Sequence, residues 1–239
     1  MTKTAIITGA SKGIGAATAL SLAKNGYDLF LCGNHSTQEL TKICRQCRTL
    51  GSQCTTYTGD LSNPIEAENI VMQTLSLYEH IDVLVNNAGI SHIGLMQSMS
   101  EQDWNHLLSV NLSAAFYLCK QVVPHMVQQK QGKILNISSI WGEHGASCEV
   151  AYSAAKGGLK ALAKELAPSG ISVNAISCGM IDTQMNAGFT PEEITEICEE
   201  IPCGRMASAE EVGDFAALLL KASPYMTGQI IGFDGGWGV

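Results

Sequence analysis

The chain has 239 residues, of which 46% are hydrophobic and 15% charged, and its formal net charge is −8. This length and composition predict one globular domain, spanning residues 1–239, with a large core. The acidic balance disfavours a nucleic-acid-binding protein and a protein that sits on anionic membranes. No run approaches about 18 apolar residues, and the first apolar run is too short for a signal peptide, so we expect a cytoplasmic protein.

Segments typical of strands and of helices alternate along the chain. Strands are predicted at residues 4–8, 27–32, 54–58, 83–86, 133–138, 172–177 and 229–233. Helices are predicted at residues 13–24, 37–50, 64–78, 101–128, 150–167, 191–200 and 209–221. This alternation predicts an α/β fold, a doubly wound parallel sheet of about seven strands with helices on both faces. Two loops, 142–145 and 178–190, follow strands, at the edge of the sheet where ligands bind in such folds.

A glycine-rich turn joins the first predicted strand to the first predicted helix. Gly9, Gly13 and Gly15 allow a tight turn and a close approach of the backbone to a pyrophosphate at the helix N-terminus. The turn is not a Walker A motif, because no Gly-Lys-Ser/Thr follows at the required spacing. Its position directly after a strand favours dinucleotide binding over a plain turn.

Ser139, Tyr152 and Lys156 form the second informative pattern. Tyr152 and Lys156 are four residues apart and therefore share one face of a helix. We expect the ammonium to lower the phenol pKa from about 10, which suits Tyr152 to general acid–base work. Ser139, thirteen residues earlier, can hold a substrate oxygen. Tyr-x-x-x-Lys alone more often marks two surface residues, so the interpretation depends on the surrounding motifs.

The motifs occur in the order Thr-Gly-x-x-x-Gly-x-Gly, Asp, Asn-Asn-Ala-Gly, Asn, Ser and Tyr-x-x-x-Lys. In this order they resemble the short-chain dehydrogenase/reductase family, with its Rossmann-type fold, along essentially the whole chain. The resemblance implies that Tyr152 protonates a carbonyl, Ser139 polarises it, Lys156 lowers the Tyr152 pKa and Asn111 anchors a water relay. The implied cofactor-binding residues are Gly9, Ser11, Lys12, Gly13, Ile14, Gly15, Asn34, Ser36, Asp60, Leu61, Asn87, Ala88, Gly89, Tyr152, Lys156, Ile181 and Thr183.

The end of the second predicted strand bears on the choice of cofactor. Gly33 stands where NAD-binding relatives carry an acidic residue that bonds the ribose 2′-hydroxyl. A 2′-phosphate would meet no repulsion there, Lys12 would supply a positive charge, and Asn34 and Ser36 can donate hydrogen bonds. We therefore expect NADP(H) rather than NAD(H), although Lys12 also suits a solvated turn.

The nearest subgroup resemblance is to bacterial 3-oxoacyl-acyl-carrier-protein reductases, through residues 201–205 and 225–229. It implies reduction of a carrier-linked ketone, with acyl carrier protein as partner, and a homotetramer. Residues 139–150 instead resemble the paralogue that reduces a 5-aminopentanone group on elongation factor P. In that interpretation Trp141 stacks on a substrate arm, and Glu143 or Glu149 meets a cation. Met185 is expected on the substrate side of a mobile lid.

Three alternatives remain open from the sequence. One is a dinucleotide-binding regulatory protein without turnover. The second concerns assembly, because the segment after Lys156 is about four residues shorter than the family pattern, so either a dimer or a tetramer is expected. The third is a reversed role, alcohol oxidation with NAD, against which Gly33 speaks. A metal or redox role for the lone C-x-x-C of Cys44 and Cys47 is disfavoured. No second ligand pair stands at a suitable spacing, so no metal site is predicted.

Overall fold

The computed structural model describes residues 2–159 and 169–238. The strands are β1 (Thr4–Thr8), β2 (Asp28–Gly33), β3 (Cys54–Thr58), β4 (Val83–Asn86), β5 (Gly132–Ser139), β6 (Ile171–Cys178), β7 (Ile181–Asp182), β8 (Ala207–Ser208) and β9 (Ile230–Phe233). Seven of them form one sheet in the order β3-β2-β1-β4-β5-β6-β9, and every pair is parallel. Strands β7 and β8 form a separate short pair. The predicted doubly wound sheet is confirmed.

Helices connect the strands and cover both faces of the sheet. They are α1 (Gly13–Lys24), α2 (Thr37–Thr49), α3 (Pro64–Tyr78), α4 (Glu101–Leu108), α5 (Ala114–Gln129), α6 (Trp141–His144), α7 (Val150–Gly158), α8 (Pro191–Glu200) and α9 (Ala209–Leu219). A π-helical segment, Ser109–Ser113, joins α4 to α5. Helices α1, α2 and α9 pack on one face, and α3 and α5 pack on the other. None of the helices within residues 2–159 and 169–238 combines the length and apolar character needed to cross a bilayer.

The strands are apolar on both faces because both faces are covered. In β1, Ala5 and Ile7 belong to the core under α1 and α9, whereas Ile6 belongs to the core under α3 and α5. In β2, Leu29 and Phe30 divide between the two cores in the same way. This is the continuous apolar strand expected of parallel sheets. The polar residues of the site therefore lie beyond the strand ends, at the carboxyl edge of the sheet.

Most predicted elements agree with the observed ones to within two residues. The long helix predicted at 101–128 is interrupted by the π-helical segment. The helix predicted at 150–167 is observed as α7, which ends at Gly158. Residues 160–167, which belong to the segment predicted to be shorter than the family pattern, lie outside the described residues. The segment 178–190, predicted as a loop, contains β7 and a 3₁₀ turn, Gln184–Asn186.

The loop predicted at 142–145 is wrong, because residues 141–144 form the helical turn α6. Gly142 suggested a break in regular structure, yet its role is to allow close packing of α6 against α7. A Cβ atom at Gly142 would lie 2.7 Å from the Lys156 carbonyl carbon, so only glycine lets α6 approach the backbone of α7. Close approach of two backbones is a common reason for glycine within a regular element.

Candidate active site

The glycine turn between β1 and α1 leaves an open helix N-terminus. Gly9 and Gly13 have φ values of +64° and +54°, which favour glycine. Lys12 is the N-cap residue of α1, and no side chain caps this helix end. The first backbone N–H groups of α1 are therefore available to an anion. This arrangement fits the pyrophosphate of a dinucleotide, because a bare and positively polarised helix end faces the edge of the sheet.

A hydrogen-bond network around Thr8 holds the turn against the end of β4. The Thr8 hydroxyl accepts from the backbone N–H groups of Asn87, at 2.9 Å, and Ala88, at 3.0 Å. The Asn87 amide donates to the carbonyl oxygens of Thr8, at 2.8 Å, and Gly9, at 3.2 Å. A Cβ atom on Gly15 would overlap the Gly9 carbonyl and the Asn87 amide. The Asn-Asn-Ala-Gly segment thus shapes the glycine turn.

The residues expected near adenine follow β3. The Asp60 carboxylate accepts from the Ser62 N–H at 3.0 Å, which forms an Asx turn, and this hydrogen bonding lowers the Asp60 pKa. Leu61 lines a small cavity with Thr8 and Ala88, at the base of the glycine turn. Asp60 and Leu61 therefore stand beside the ends of β1 and β4, as a shared cofactor site requires.

The residues expected to read the ribose lie at the end of β2. Asn34 is exposed, and Ser36 precedes α2 without capping it. A Cβ atom on Gly33 would lie 3.2 Å from the Leu40 side chain, which would have to shift slightly to admit a larger residue. The Lys12 ammonium donates to the Gln184 side-chain oxygen at 2.8 Å. Lys12 therefore links the turn to the segment after β7, and not to Asn34 or Ser36.

Strand β5 and helix α7 bring Ser139, Tyr152 and Lys156 together. Ser139 ends β5, where its hydroxyl accepts from the Trp141 N–H at 3.2 Å and also hydrogen-bonds Tyr152. The Lys156 ammonium lies 5.6 Å from the centre of the Tyr152 ring. The neighbouring Ser138 instead donates to the Lys156 carbonyl oxygen at 3.0 Å. Its hydroxyl thus fastens β5 to α7, which leaves Ser139 as the serine of the site.

The titration of Tyr152 differs from the expectation drawn from its spacing to Lys156. Burial raises the pKa of Tyr152 well above its ordinary value, Cys178 and Glu149 raise it further, and the Ser139 hydrogen bond opposes the rise. Burial also lowers the pKa of Lys156 to about 8, and its amine donates to the Ile137 carbonyl oxygen at 2.7 Å. The expected lowering of the Tyr152 pKa is therefore wrong for this arrangement.

Asn111 lies in the π-helical segment, buried beside Lys156. Its side-chain oxygen accepts from the Ile90 N–H and its amide donates to the Ile90 carbonyl, both at 2.8 Å. A Cβ atom on Gly89 would lie 3.5 Å from the Asn111 oxygen and 3.6 Å from the Lys156 nitrogen. Asn111 thus fixes the chain that leaves β4 directly above the lysine. π-Helical turns within α-helices frequently occur at functional sites.

The segment after β6 brings two further expected residues to the glycine turn. Ile181 is buried in β7, and its carbonyl oxygen accepts from the Asn186 amide at 2.7 Å. The Thr183 methyl group lies 3.3 Å from the position of a Cβ atom on Gly13. Thr183 therefore borders the turn, and Ile181 lies two residues before it in the same segment, as a clasp on the nicotinamide end would require. Met185 is 47% exposed in the turn that follows.

The residues expected on the substrate side surround the exit of β5. Trp141 is half-buried in α6, and Glu143 on the same helix is exposed. Glu149 is half-buried just before α7, and burial raises its pKa. Trp237 was not predicted as a site residue, yet its ring centre lies 5.1 Å from that of Trp141 at an interplanar angle of 67°. No local pattern connects these two residues, because Trp237 reaches the site only through the path of β9.

Comparison with known proteins agrees with this geometry. Residues 3–194 match the family model described as short chain dehydrogenase. YmfI of Bacillus subtilis, named an uncharacterized oxidoreductase, is 43% identical over 244 residues, which cover 99% of both proteins. The 3-oxoacyl-acyl-carrier-protein reductase FabG of Thermotoga maritima is 38% identical over 98% of this chain and 97% of its own length.

A solved structure of actinorhodin polyketide ketoreductase with NADPH is similar over 99% of this chain and 97% of that one. Its TM-score is 0.93 and its sequence identity 32%. The family model, the full-length relatives and the fold likeness thus agree with one another. The chain belongs to the short-chain dehydrogenase/reductase family and is an NAD(P)-dependent oxidoreductase.

Proposed function

We propose that this protein reduces a ketone to a secondary alcohol with NADPH. The observation that carries the proposal is the meeting of Ser139, Tyr152 and Lys156 at the end of β5, beside the glycine turn that opens α1. A proton donor, an oxygen-binding hydroxyl and a dinucleotide-binding helix end then share one edge of the sheet. Ketone reduction requires these three elements at one place.

The chain's own part in the reaction is to hold the ketone oxygen and supply a proton. When bound, NADPH supplies the hydride. Ser139 Oγ and Tyr152 Oη, already hydrogen-bonded to each other, form a pair that can both bond the carbonyl oxygen. The raised pKa of Tyr152 keeps its proton in place, so the residue acts as the general acid. Lys156 holds a positive charge close by, and Asn111 and Ile137 keep its surroundings fixed.

The choice of NADPH is supported at the end of β2. Gly33 places no carboxylate beside the ribose, and Lys12 stands at the helix end. Repulsion of a 2′-phosphate is therefore absent at this strand end. The structural relative solved with NADPH adds support. The cofactor-binding residues proposed on this basis are the glycine turn, Lys12, Asn34, Ser36, the residues after β3 and β4, and the Ile181–Thr183 clasp.

The first candidate substrate is a 3-oxoacyl thioester on acyl carrier protein. The Thermotoga maritima relative and a Synechocystis relative, 37% identical over 97% of this chain, are both named as 3-oxoacyl-acyl-carrier-protein reductases. A homo-oligomer in the cytoplasm belongs to this proposal. The net charge of −8 opposes it, because acyl carrier protein is also acidic and like charges slow association.

The second candidate is an aminoketone on a protein lysine, the 5-aminopentanone of elongation factor P. The half-buried Glu149 favours it, because a cationic substrate group would offset the cost of burying a carboxylate. Glu143 adds negative charge on the same side, and Trp141 offers an aromatic face for a cation. The acidic chain then becomes an advantage, because it attracts a positive substrate group.

The test measures NADPH oxidation with acetoacetyl-CoA and with aminopentanone-modified elongation factor P, each repeated with NADH. We expect turnover with NADPH, and a loss of about 10²–10⁴-fold in kcat for Tyr152→Phe, because the general acid is removed. The more efficient substrate identifies the natural class. Turnover that persists in Tyr152→Phe would refute the mechanism. A Tyr152→Phe protein that still supports the cellular function of the wild type would favour the non-catalytic regulatory alternative.

A further inference from the structure

The C-terminal segment, defined here as Asp234–Gly238, folds back onto the substrate side of the sheet. Asp234 organises it, since its carboxylate accepts from the N–H groups of Gly236, at 3.0 Å, and Gly238, at 3.2 Å. The Gly238 carbonyl oxygen is hydrogen-bonded by the His144 ring at 2.9 Å. The segment is therefore fastened at its far end to helix α6. These bonds fix the position of the one large side chain between them, Trp237.

Trp237 uses this position to pack on Trp141. The rings meet nearly edge to face, with centres 5.1 Å apart and an interplanar angle of 67°. This is the arrangement that aromatic pairs prefer, since the positive edge of one ring meets the negative face of the other. Both side chains are half-buried. Each ring therefore keeps apolar surface that solvent, or a substrate, can reach.

The pair is connected to the site through the backbone of Trp141. The Trp141 N–H donates to the Ser139 hydroxyl at 3.2 Å. The aromatic surface thus begins two residues after the group proposed to bind the ketone oxygen. The segment is also bonded to the chain that follows α8, because the Cys203 N–H donates to the Gly235 carbonyl at 3.1 Å.

We infer that Trp237 is a specificity-determining residue of the ketone site. It holds the Trp141 ring as an aromatic wall, against which the arm of the substrate lies. The wall favours ketones with an extended arm over ketones with a short arm, because only an extended arm reaches the paired rings. Trp237 acts through Trp141, so it affects substrate affinity and not proton transfer. This inference rests on the proposed function of the same site.

The experiment compares acetoacetyl-CoA with ethyl acetoacetate, which carries the same ketone on a short arm. In Trp237→Ala we expect KM for acetoacetyl-CoA to rise about tenfold, with kcat within about twofold. KM for the short ketone should be unchanged. Trp237→Phe should restore most of the affinity, since a phenyl ring can still meet Trp141. Tyr225→Ala is the matched control, because Tyr225 is 96% exposed and precedes β9 at the opposite edge of the sheet.

Binding without turnover separates this inference from the proposed function. Ketone affinity is measured in Tyr152→Phe protein saturated with NADPH, with and without Trp237, by the quenching of tryptophan fluorescence. Near-ultraviolet circular dichroism shows whether the Trp141–Trp237 pair is lost. Equal affinity for acetoacetyl-CoA after loss of the pair would overturn the inference alone. Intact affinity in a wild-type protein that never oxidises NADPH would overturn the proposed function alone. If Trp237→Ala does not fold, the same comparison in Trp237→Phe and Trp237→Leu decides.

Discussion

Replacing Thr8 with valine should destabilise the protein and weaken its hold on the cofactor. Thr8 is 2% exposed, and its hydroxyl accepts from two N–H groups, those of Asn87 and Ala88, and donates to the Val85 carbonyl at 3.3 Å. Valine keeps the shape but leaves two half-buried donors without this partner. An unsatisfied donor costs about 1–3 kcal/mol, and partial burial keeps each of these two in the lower part of that range, so we expect a loss of about 2–4 kcal/mol in the free energy of unfolding.

Thermal unfolding and NADPH titration test this prediction. At about 2–4 °C per kcal/mol for a chain of this size, Tm should fall by about 10 °C. Thr8→Ser is the matched control, because it keeps the hydroxyl and loses only a methyl group, which costs about 1 kcal/mol. Stability should fall in the order wild type, Thr8→Ser, Thr8→Val, and NADPH affinity should follow the same order. A Thr8→Val protein more stable than Thr8→Ser would refute the reasoning.

Two other predictions concern the same edge of the sheet. Gly15→Ala should abolish measurable NADPH binding in a fluorescence titration, because its Cβ would overlap the Gly9 carbonyl and the Asn87 amide. Gly188→Ala, which meets open space, should bind normally; equal binding by both variants would contradict this. Lys156→Met should raise Tm at pH 7 while removing turnover, because burial holds the native pKa near 8, below the unfolded value of about 10.5. Between these two pKa values the unfolded chain binds more protons than the folded one, so wild-type stability should rise from about pH 8 to about pH 10.5. The difference in Tm between the variant and the wild type should therefore shrink over this range. A difference that stays constant with pH would argue against a buried charge.

The elements bounded by strong local signals, such as a glycine turn or a proline in the first helical turn, were predicted closely from the sequence. Strand β1 and helix α1 meet at the glycine turn, and α3 begins at Pro64, so their observed bounds equal the predicted ones. Helix α7 begins where expected, at Val150, which places Tyr152 and Lys156 on one face. The residues of the candidate site were also brought to one edge as expected. Parallel strands place their carboxyl ends at one edge of the sheet, so residues that follow adjacent strands lie close together.

Features that depend on distant contacts could not be predicted in this way. Gly142 reads as a helix breaker until its contact with the backbone of α7 is known. No local sequence pattern predicts the π-helical turn at Asn111. The Asn111 side chain is hydrogen-bonded to the backbone of Ile90, which lies 21 residues earlier in the chain that follows β4. The raised pKa of Tyr152 depends on burial by the assembled fold and not on its spacing to Lys156. Trp237 joins Trp141 only when β9 completes the sheet.

The strand order has a consequence for how the chain is made. The five adjacent strands β3-β2-β1-β4-β5 are complete once residue 139 has been synthesised. A chain emerging from the ribosome can therefore assemble the nucleotide half of the sheet before β6 has emerged. During that interval the β5 edge that later pairs with β6 is unpaired, and an unpaired apolar strand edge readily forms hydrogen bonds with other chains and aggregates. Mutations that slow the pairing of β6 should thus lower soluble yield more than they lower the stability of the finished protein.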